Sequence, residues 1–210
     1  MKIKTLSFNA FQVNTYILFD DTNECVIIDP ACYEPQEEEE LFRFIEEKEL
    51  LPVALLLTHG HVDHILGCKA VATKYALKPL MHHDALPFIE KSQEQGMMFG
   101  FSVEKPDISD EFLTEGDTIK FGHQTLQTIL APGHADGSLC FYNEPQKVLV
   151  SGDVLFQGSI GRTDLPTGDY NTLISAITDK LMVLPDDVKV FPGHGPSTTI
   201  GFEKENNPFL

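Results

Sequence analysis

Four residues able to bind metal stand close together as His59, His61, Asp63 and His64, in the run Thr58-His59-Gly60-His61-Val62-Asp63-His64. Imidazole nitrogens and carboxylate oxygens suit zinc, iron or manganese, and the lack of cysteine in the run argues against a sulfur-rich structural site. On a tight loop, alternate side chains reach different sides of a cavity, so the run can serve two neighbouring ions. A structural zinc needs fewer ligands. Open coordination completed by solvent marks a catalytic site instead. His82, His83 and His123 lack this context and read as surface or hydrogen-bonded residues.

Buried strands must hold such a cluster in place. Strand-like runs cover Val13 to Phe19, Cys25 to Ile28, Val53 to Leu57, Thr125 to Leu130, Leu139 to Tyr142, Val148 to Val150 and Val188 to Phe191. The third ends in Thr58-His59-Gly60-His61 and the fourth in Ala131-Pro132-Gly133-His134. The Val148 strand runs into Ser151-Gly152-Asp153, and the last into Pro192-Gly193-His194. Turns of small residues carrying His or Asp, each behind its own strand, converge on one sheet edge, where sites are commonly built. Helical periodicity is clearest over Tyr170 to Leu184, with Leu173, Ile177 and Leu181 four apart. Further helices are expected at Gly67 to Leu77, at Asp84 to Gln95, and behind the acidic run Glu37 to Glu40, where Leu41, Phe42 and Ile45 form an apolar stripe. Interleaved strands and helices predict a layered α/β protein.

At 210 residues the chain suits one domain, 1–210, and its formal charge of −17 repels phosphate backbones and anionic membranes. No apolar run reaches the length of a membrane span, and Met1-Lys2-Ile3-Lys4-Thr5 lacks the apolar segment of a secretion signal. Cys25, Cys32, Cys68 and Cys140 form no C-x-x-C pair and are expected as reduced thiols in a cytoplasmic protein, Cys25 and Cys140 as small buried hydrophobes. Nucleic acid and membrane partners are therefore not expected, and the chain is expected as a monomer or homodimer.

The order H-x-H-x-D-H, Gly133-His134, Gly152-Asp153 and Gly193-His194 resembles the metallo-β-lactamase superfamily over nearly the whole chain. That resemblance implies an αββα four-layer sandwich with its site along one edge of the facing sheets. It implies one metal on His59, His61 and His134, and a second on Asp63, His64 and His194, with Asp153 bridging them. The implied cofactors are two divalent ions, with zinc expected and iron or manganese as alternatives. A water shared by two such ions loses its proton near neutral pH and attacks an electrophilic carbonyl, whose oxygen a metal polarises. Asp63 then doubles as ligand and as the catalytic group that orients the nucleophile or accepts its proton. Aspartate at position 153 speaks against the periplasmic β-lactamases that carry a cysteine ligand there.

Within the superfamily, the segment Ser151 to Asp164, containing Gly161-Arg162-Thr163-Asp164, is similar to the glyoxalase II (hydroxyacylglutathione hydrolase) branch. The ending Pro192-Gly193-His194-Gly195-Pro196-Ser197-Thr198-Thr199-Ile200-Gly201 resembles its short, single-domain members. The branch implies a small thioester substrate and assigns Arg162 to the substrate carboxylate, a task bidentate pairing suits. A salt bridge from Arg162 to Asp164 or Asp169 is the competing reading. Two departures loosen the substrate. Glyoxalase II proper has a C-terminal helical domain with no counterpart after His194, and Thr163-Asp164-Leu165 replaces its aromatic contact.

Two other classes stay open at this stage. A glutathione-persulfide dioxygenase shares the Gly-Arg-Thr-Asp segment and would use one iron on His59, His134 and Asp153. A non-catalytic metal-binding protein would be expected to show an incomplete site. Asn14 and Asp29 lie where the superfamily often places polar residues, although Asp29-Pro30 suits a turn equally well. Met97-Met98-Phe99-Gly100-Phe101 reads as core or dimer contact, with the rim of the substrate entrance as the alternative.

Overall fold

The computed structural model describes residues 1–210 and contains two mixed sheets. The first places β1 (Lys2–Phe8), β2 (Val13–Phe19), β3 (Glu24–Ile28), β4 (Leu51–Leu56) and β5 (Pro79–Leu80) side by side in that order. Next along the chain come β6 (Thr118–Phe121), β7 (Gln124–Leu130), β8 (Leu139–Asn143), β9 (Val148–Gly152) and the small hairpin β10 (Leu155–Phe156) to β11 (Ser159–Ile160). With β12 (Lys189–Pro192) and β13 (Thr198–Thr199), the second sheet runs β13-β12-β9-β8-β7-β6. The β3–β4, β4–β5 and β9–β12 pairs are parallel, whereas the rest of both sheets is antiparallel.

Alternation along the strands produces the layers. In β2, Tyr16 and Leu18 enter the core between the sheets, while Ile17 and Phe19 enter a separate core beneath the helices. Val26 and Ile28 against Cys25 and Ile27 repeat this in β3, and Ala54 and Leu56 against Leu55 and Leu57 repeat it around β4. Leu139 and Phe141 meet the first sheet from β8, while Cys140 and Tyr142 point outward to a third core. Strands buried on both faces need helices outside each sheet, and the chain supplies them. Helices α1 (Pro35–Glu47) and α2 (Cys68–Tyr75) cover the first sheet through Leu41, Ile45, Cys68 and Val71. Short helices α3 (Leu86–Glu90) and α4 (Ser92–Met98) follow. Helices α5 (Tyr170–Ala176) and α6 (Ile200–Asn206) cover the second sheet through Leu173, Ala176 and Ile200. The result is the αββα sandwich.

Two helices differ from their sequence reading. The stretch expected as one helix over Asp84 to Gln95 is broken into a tight turn at His83–Ala85, then α3 and α4. Pro87 cannot donate a backbone bond, and the Ser92 hydroxyl donates to Ile89 O at 2.7 Å, so the chain restarts at Lys91. The helix expected over Tyr170 to Leu184 is α-helical only to Ala176, then widens into a π turn at Ile177–Leu181, with Leu173, Ile177 and Leu181 all buried as their spacing requires. The four cysteines are all buried and unpaired, and burial pushes the thiols of Cys25 and Cys32 up to about 12. No helix is long and apolar enough to cross a membrane.

The end of the sandwich away from Val13 has its own tie. Buried Asp20 accepts from Thr22 N (3.0 Å), Thr22 Oγ1 (2.6 Å), His123 N (2.7 Å) and Gln124 Nε2 (3.1 Å), joining the end of β2 to the β6–β7 turn. Burial works against its charge, but these donors outweigh burial and hold the carboxyl below its ordinary value. A depressed carboxyl contributes stability above the unfolded value of about 4 and loses it as pH falls further. Asp20→Ala should therefore lower the unfolding free energy by about 2–3 kcal/mol at pH 7. In urea titrations the gap between the two proteins should narrow as the pH drops below about 4. A gap that stays constant down to low pH would contradict this.

Candidate metal centre

Backbone bonds within and between the sheets bring the strand ends into one place. Leu139 N donates to Thr58 O at 2.7 Å, Asn14 N to Gly193 O at 2.7 Å and Gly193 N to Gly152 O at 2.8 Å. Together they stitch the ends of β4, β8, β9 and β12 to the start of β2. Glycine is needed at two of these points. A Cβ on Gly193 would strike Asp153 Oδ1 and His64 Cε1, and one on Gly152, where φ is +51°, would strike the Thr58 side chain.

His59, His61, Asp63, His64, His134, Asp153 and His194 converge here. One group of ligand atoms comes from His59, His61 and His134, and another from Asp63, His64 and His194. His61 Nδ1 lies 3.1 Å from His59 Nε2 and 2.9 Å from His134 Nε2, and His64 Nε2 lies 3.4 Å from His194 Nε2. A tetrahedral ion with bonds of 2.0–2.1 Å to nitrogen sets its ligands about 3.3 Å apart, close to these separations. Asp153 spans the two groups: Oδ1 is 3.3 Å from His64 Nε2, and Oδ2 is 3.6 Å from His134 Nε2 and 3.4 Å from His194 Nε2. Asp63 Oδ2 sits 3.5 Å from His194 Nε2.

Outer partners fix which ring nitrogen each histidine offers. His134 Nδ1 donates to Arg162 O at 2.8 Å and His194 Nδ1 to Phe11 O at 2.9 Å; carbonyls only accept, so both Nε2 atoms are free. His64 Nδ1 donates to the Asp29 carboxylate at 2.9 Å. The Thr58 hydroxyl also donates to Asp29, at 2.6 Å, so His59 Nδ1 must donate to Thr58 Oγ1 at 3.0 Å. Four imidazoles thus present Nε2 to the cluster and His61 presents Nδ1, the arrangement metal-binding histidines need.

Burial and the carboxylates pull the imidazoles in opposite directions. Burial, then the neighbouring imidazoles, drives His59 well below its ordinary value, and burial with His134 lowers His61 to about 4. For His64 and His194 burial also opposes the charge, but carboxylates outweigh it: Asp153, Asp63 and Asp29 hold His64 well above its ordinary value, and Asp153 and Asp63 raise His194 to about 9. Burial would raise Asp153, yet His64 and His194 keep it well below the carboxylate range. Its Oδ1 is nevertheless buried without a hydrogen-bond partner. An orphaned anionic oxygen between two sets of inward-facing imidazole nitrogens fits a divalent metal on each side.

Other expected residues are placed differently. The Arg162 guanidinium lies outside the cluster, exposed, with Nε and Nη2 donating to Asp164 Oδ1 and Oδ2, both at 2.8 Å. Its backbone carbonyl, in contrast, orients His134. His83 and His123 are exposed, and His82 Nδ1 accepts from Asp84 N, all away from the centre. The Met97 to Phe101 stretch divides: Phe101 is buried with Val62 and packs 4.8 Å from the Tyr33 ring, whereas Met97, Met98 and Phe99 are exposed. Phe99 and Phe101 both meet the ring of Phe11, whose carbonyl holds His194.

Asp29 has more to do than open a turn. It is buried, has φ +49°, and takes Thr58 N at 2.7 Å as well as the Thr58 hydroxyl and His64. Its oxygens are therefore occupied as supports rather than free as ligands. Asn14 Nδ2 donates to Pro192 O (3.0 Å) and Gly195 O (2.9 Å), clasping the His194 turn. Asn9, Thr58 and the carbonyls of Phe11 and Arg162 had no individual role in the sequence reading. A carbonyl carries no side-chain signal, and Asn9 precedes every motif.

Comparison with known proteins agrees with this geometry. A family profile described as the metallo-beta-lactamase superfamily matches residues 8–194. The chain is 40% identical to the hydroxyacylglutathione hydrolase GloC of Haemophilus influenzae, with 100% of this chain and 98% of that protein covered. Among solved structures it superposes on BLEG-1 B3 metallo-beta-lactamase with a TM-score of 0.90 and 36% identity, covering 100% and 99% of the two chains. The di-iron-bound form of TTHA1623 gives a TM-score of 0.87 and 35% identity, with 100% of each chain covered. With its strand-end cluster of His and Asp residues, αββα layers and these relatives, the chain belongs to the metallo-β-lactamase superfamily.

Proposed function

We propose that the chain is a two-metal hydrolase of small thioesters, of the acyl-glutathione kind. The observation that carries this reading is Asp153, whose two oxygens reach both ligand groups while Oδ1 has no other partner. Two divalent ions held there would supply Lewis acidity and a water that ionises near neutral pH. His59, His61 and His134 would hold one ion, Asp63, His64 and His194 the other, and Asp153 both. Asp63, partly exposed at the edge of the cluster, is placed to accept or orient a proton at Oδ2. Burial of His59 and His64, with only 11% of the Asp153 side chain exposed, keeps bulk water from the ligand side, which strengthens every charge interaction there.

The relative named hydroxyacylglutathione hydrolase supports the thioester class. A one-iron dioxygenase would use His59, His134 and Asp153 and leave the Asp63–His64–His194 group without a task. Incubation of metal-loaded protein with lactoylglutathione should release free thiol at a rate far above buffer; no release would exclude that substrate. Arg162 would bind the substrate carboxylate by exchanging it for Asp164, one exposed bidentate pair for another. Arg162→Ala should raise KM for a carboxylate-bearing thioester about fivefold with little change in kcat, and Asp164→Asn should lower KM. Unchanged KM in both variants would remove Arg162 from the substrate site.

A further inference from the structure

The two ligand groups hang on different pieces of chain. Outer partners of His59 and His134 are Thr58 and the Arg162 carbonyl. Asp63 and His194 are held instead by the loop between β1 and β2. Asn9 in that loop is buried, left-handed at φ +55°, and bonded through every polar side-chain atom. Its Nδ2 donates to Asp63 O at 3.0 Å and Ala31 O at 2.9 Å, and its Oδ1 accepts from Phe11 N at 2.8 Å. Its backbone N donates at 2.7 Å to Glu37 Oε1, whose other oxygen accepts from Tyr33 N and Glu34 N at the start of α1. Phe11, so anchored, offers its carbonyl to His194 Nδ1, and Asn14 clasps the carbonyls on both sides of His194. None of these hydrogen bonds reaches His59, His61 or His134.

We propose that Asn9, acting through this loop, is a positioning residue for the Asp63–His64–His194 half of the centre alone, and so decides whether the chain holds one metal or two. The proposal rests on the two-metal reading above. Losing an outer partner of a metal ligand typically weakens metal binding 10–100-fold. Here the loss falls on one half, because the bonds of Asn9 end on Asp63, Ala31 and Phe11, whereas His59 and His134 are oriented by Thr58 and the Arg162 carbonyl.

Asn9→Gly tests this cleanly, since glycine keeps φ +55° without strain. Gln12→Gly is the control: Gln12 has φ +58° in the same loop and an exposed side chain. Cobalt bound per chain is counted by equilibrium dialysis, and the visible cobalt spectrum is followed during titration. Wild type and Gln12→Gly should bind two ions. Asn9→Gly should bind the first as tightly as wild type and the second about 10–100-fold more weakly, with the spectrum of a single site at intermediate cobalt. Joint weakening of both ions, or no change in either, would overturn the proposal. A wild type that binds one ion would instead overturn the two-metal reading beneath it. Should Asn9→Gly fail to fold, Asn14→Ala releases the His194 turn from the same side; loss confined to the second ion supports the proposal and joint loss overturns it.

Discussion

Asp153→Asn should lower kcat/KM for thioester hydrolysis by roughly 10³-fold or more, about 4 kcal/mol of lost transition-state stabilisation. The substitution keeps the shape of the side chain and removes its charge. One of the two atoms that span the ligand groups then becomes an amide, a donor that can no longer accept a cation's charge. Without metal, the variant should already be less stable than wild type, because Asp153 offsets the charge of the His64 and His194 imidazoles beside it. A further difference should emerge on adding metal. An ion present at 100 times its Kd stabilises the wild type by about 2.7 kcal/mol, which for a chain of this size raises Tm by several degrees. Asp153→Asn should show less than half of that rise in the same metal concentration. A full rise with activity lost would place Asp153 in the chemistry but outside metal binding.

Asp29→Asn should fold, and yet lose metal at His64. The asparagine tolerates the left-handed backbone at position 29, and its oxygen can still accept from Thr58 N. Its amide then faces His64 Nδ1 as a donor, which forces the ring proton onto Nε2, the atom that faces Asp153 and His194. A protonated Nε2 cannot bind metal. The same amide also faces the Thr58 hydroxyl, which then turns to His59 Nδ1 and disturbs the other half. Both ions should therefore weaken, the one at His64 about 10–100-fold, and turnover should fall unless metal is raised to compensate. Asp29→Ala is the harsher change. It leaves Thr58 N buried without a partner and puts a Cβ residue with no side-chain hydrogen bond at φ +49°, for a combined loss of about 3–4 kcal/mol in urea unfolding. Equal metal affinity in Asp29→Asn and wild type would show that His64 needs no fixed tautomer.

The layers and the convergence of His and Asp side chains were legible because both follow from side-chain patterns. Ala54 to Leu57 and Val148 to Val150 are apolar throughout, as strands buried on two faces must be, and each leads within a short turn to a residue of the cluster. Edge strands were harder. β1 has Lys2 and Lys4 on a strand paired with β2 alone, so only Leu6 and Phe8 are fully buried, and the pattern is diluted. The short β6 alternates cleanly from Thr118 to Phe121 but is only one turn of the chain away from β7, and is recognised by the hairpin rather than by its length. The supports of the site were least legible. Asp29 suits a turn before Pro30 and Asn14 is one polar residue in a strand, and what each bonds appears only when Thr58, His64 and the His194 turn fold against them. Arg162 shows the opposite case: its side chain attracted attention, while its carbonyl is what touches the centre.

Two metals, joined at Asp153, are proposed to carry thioester hydrolysis. Elemental analysis of the purified protein, paired with lactoylglutathione hydrolysis as metal is titrated into the stripped chain, tests it most directly. Two ions per chain are expected, with thiol release rising steeply as the second ion fills. One iron per chain, with oxygen consumed on a persulfide and no thioester turned over, would contradict it.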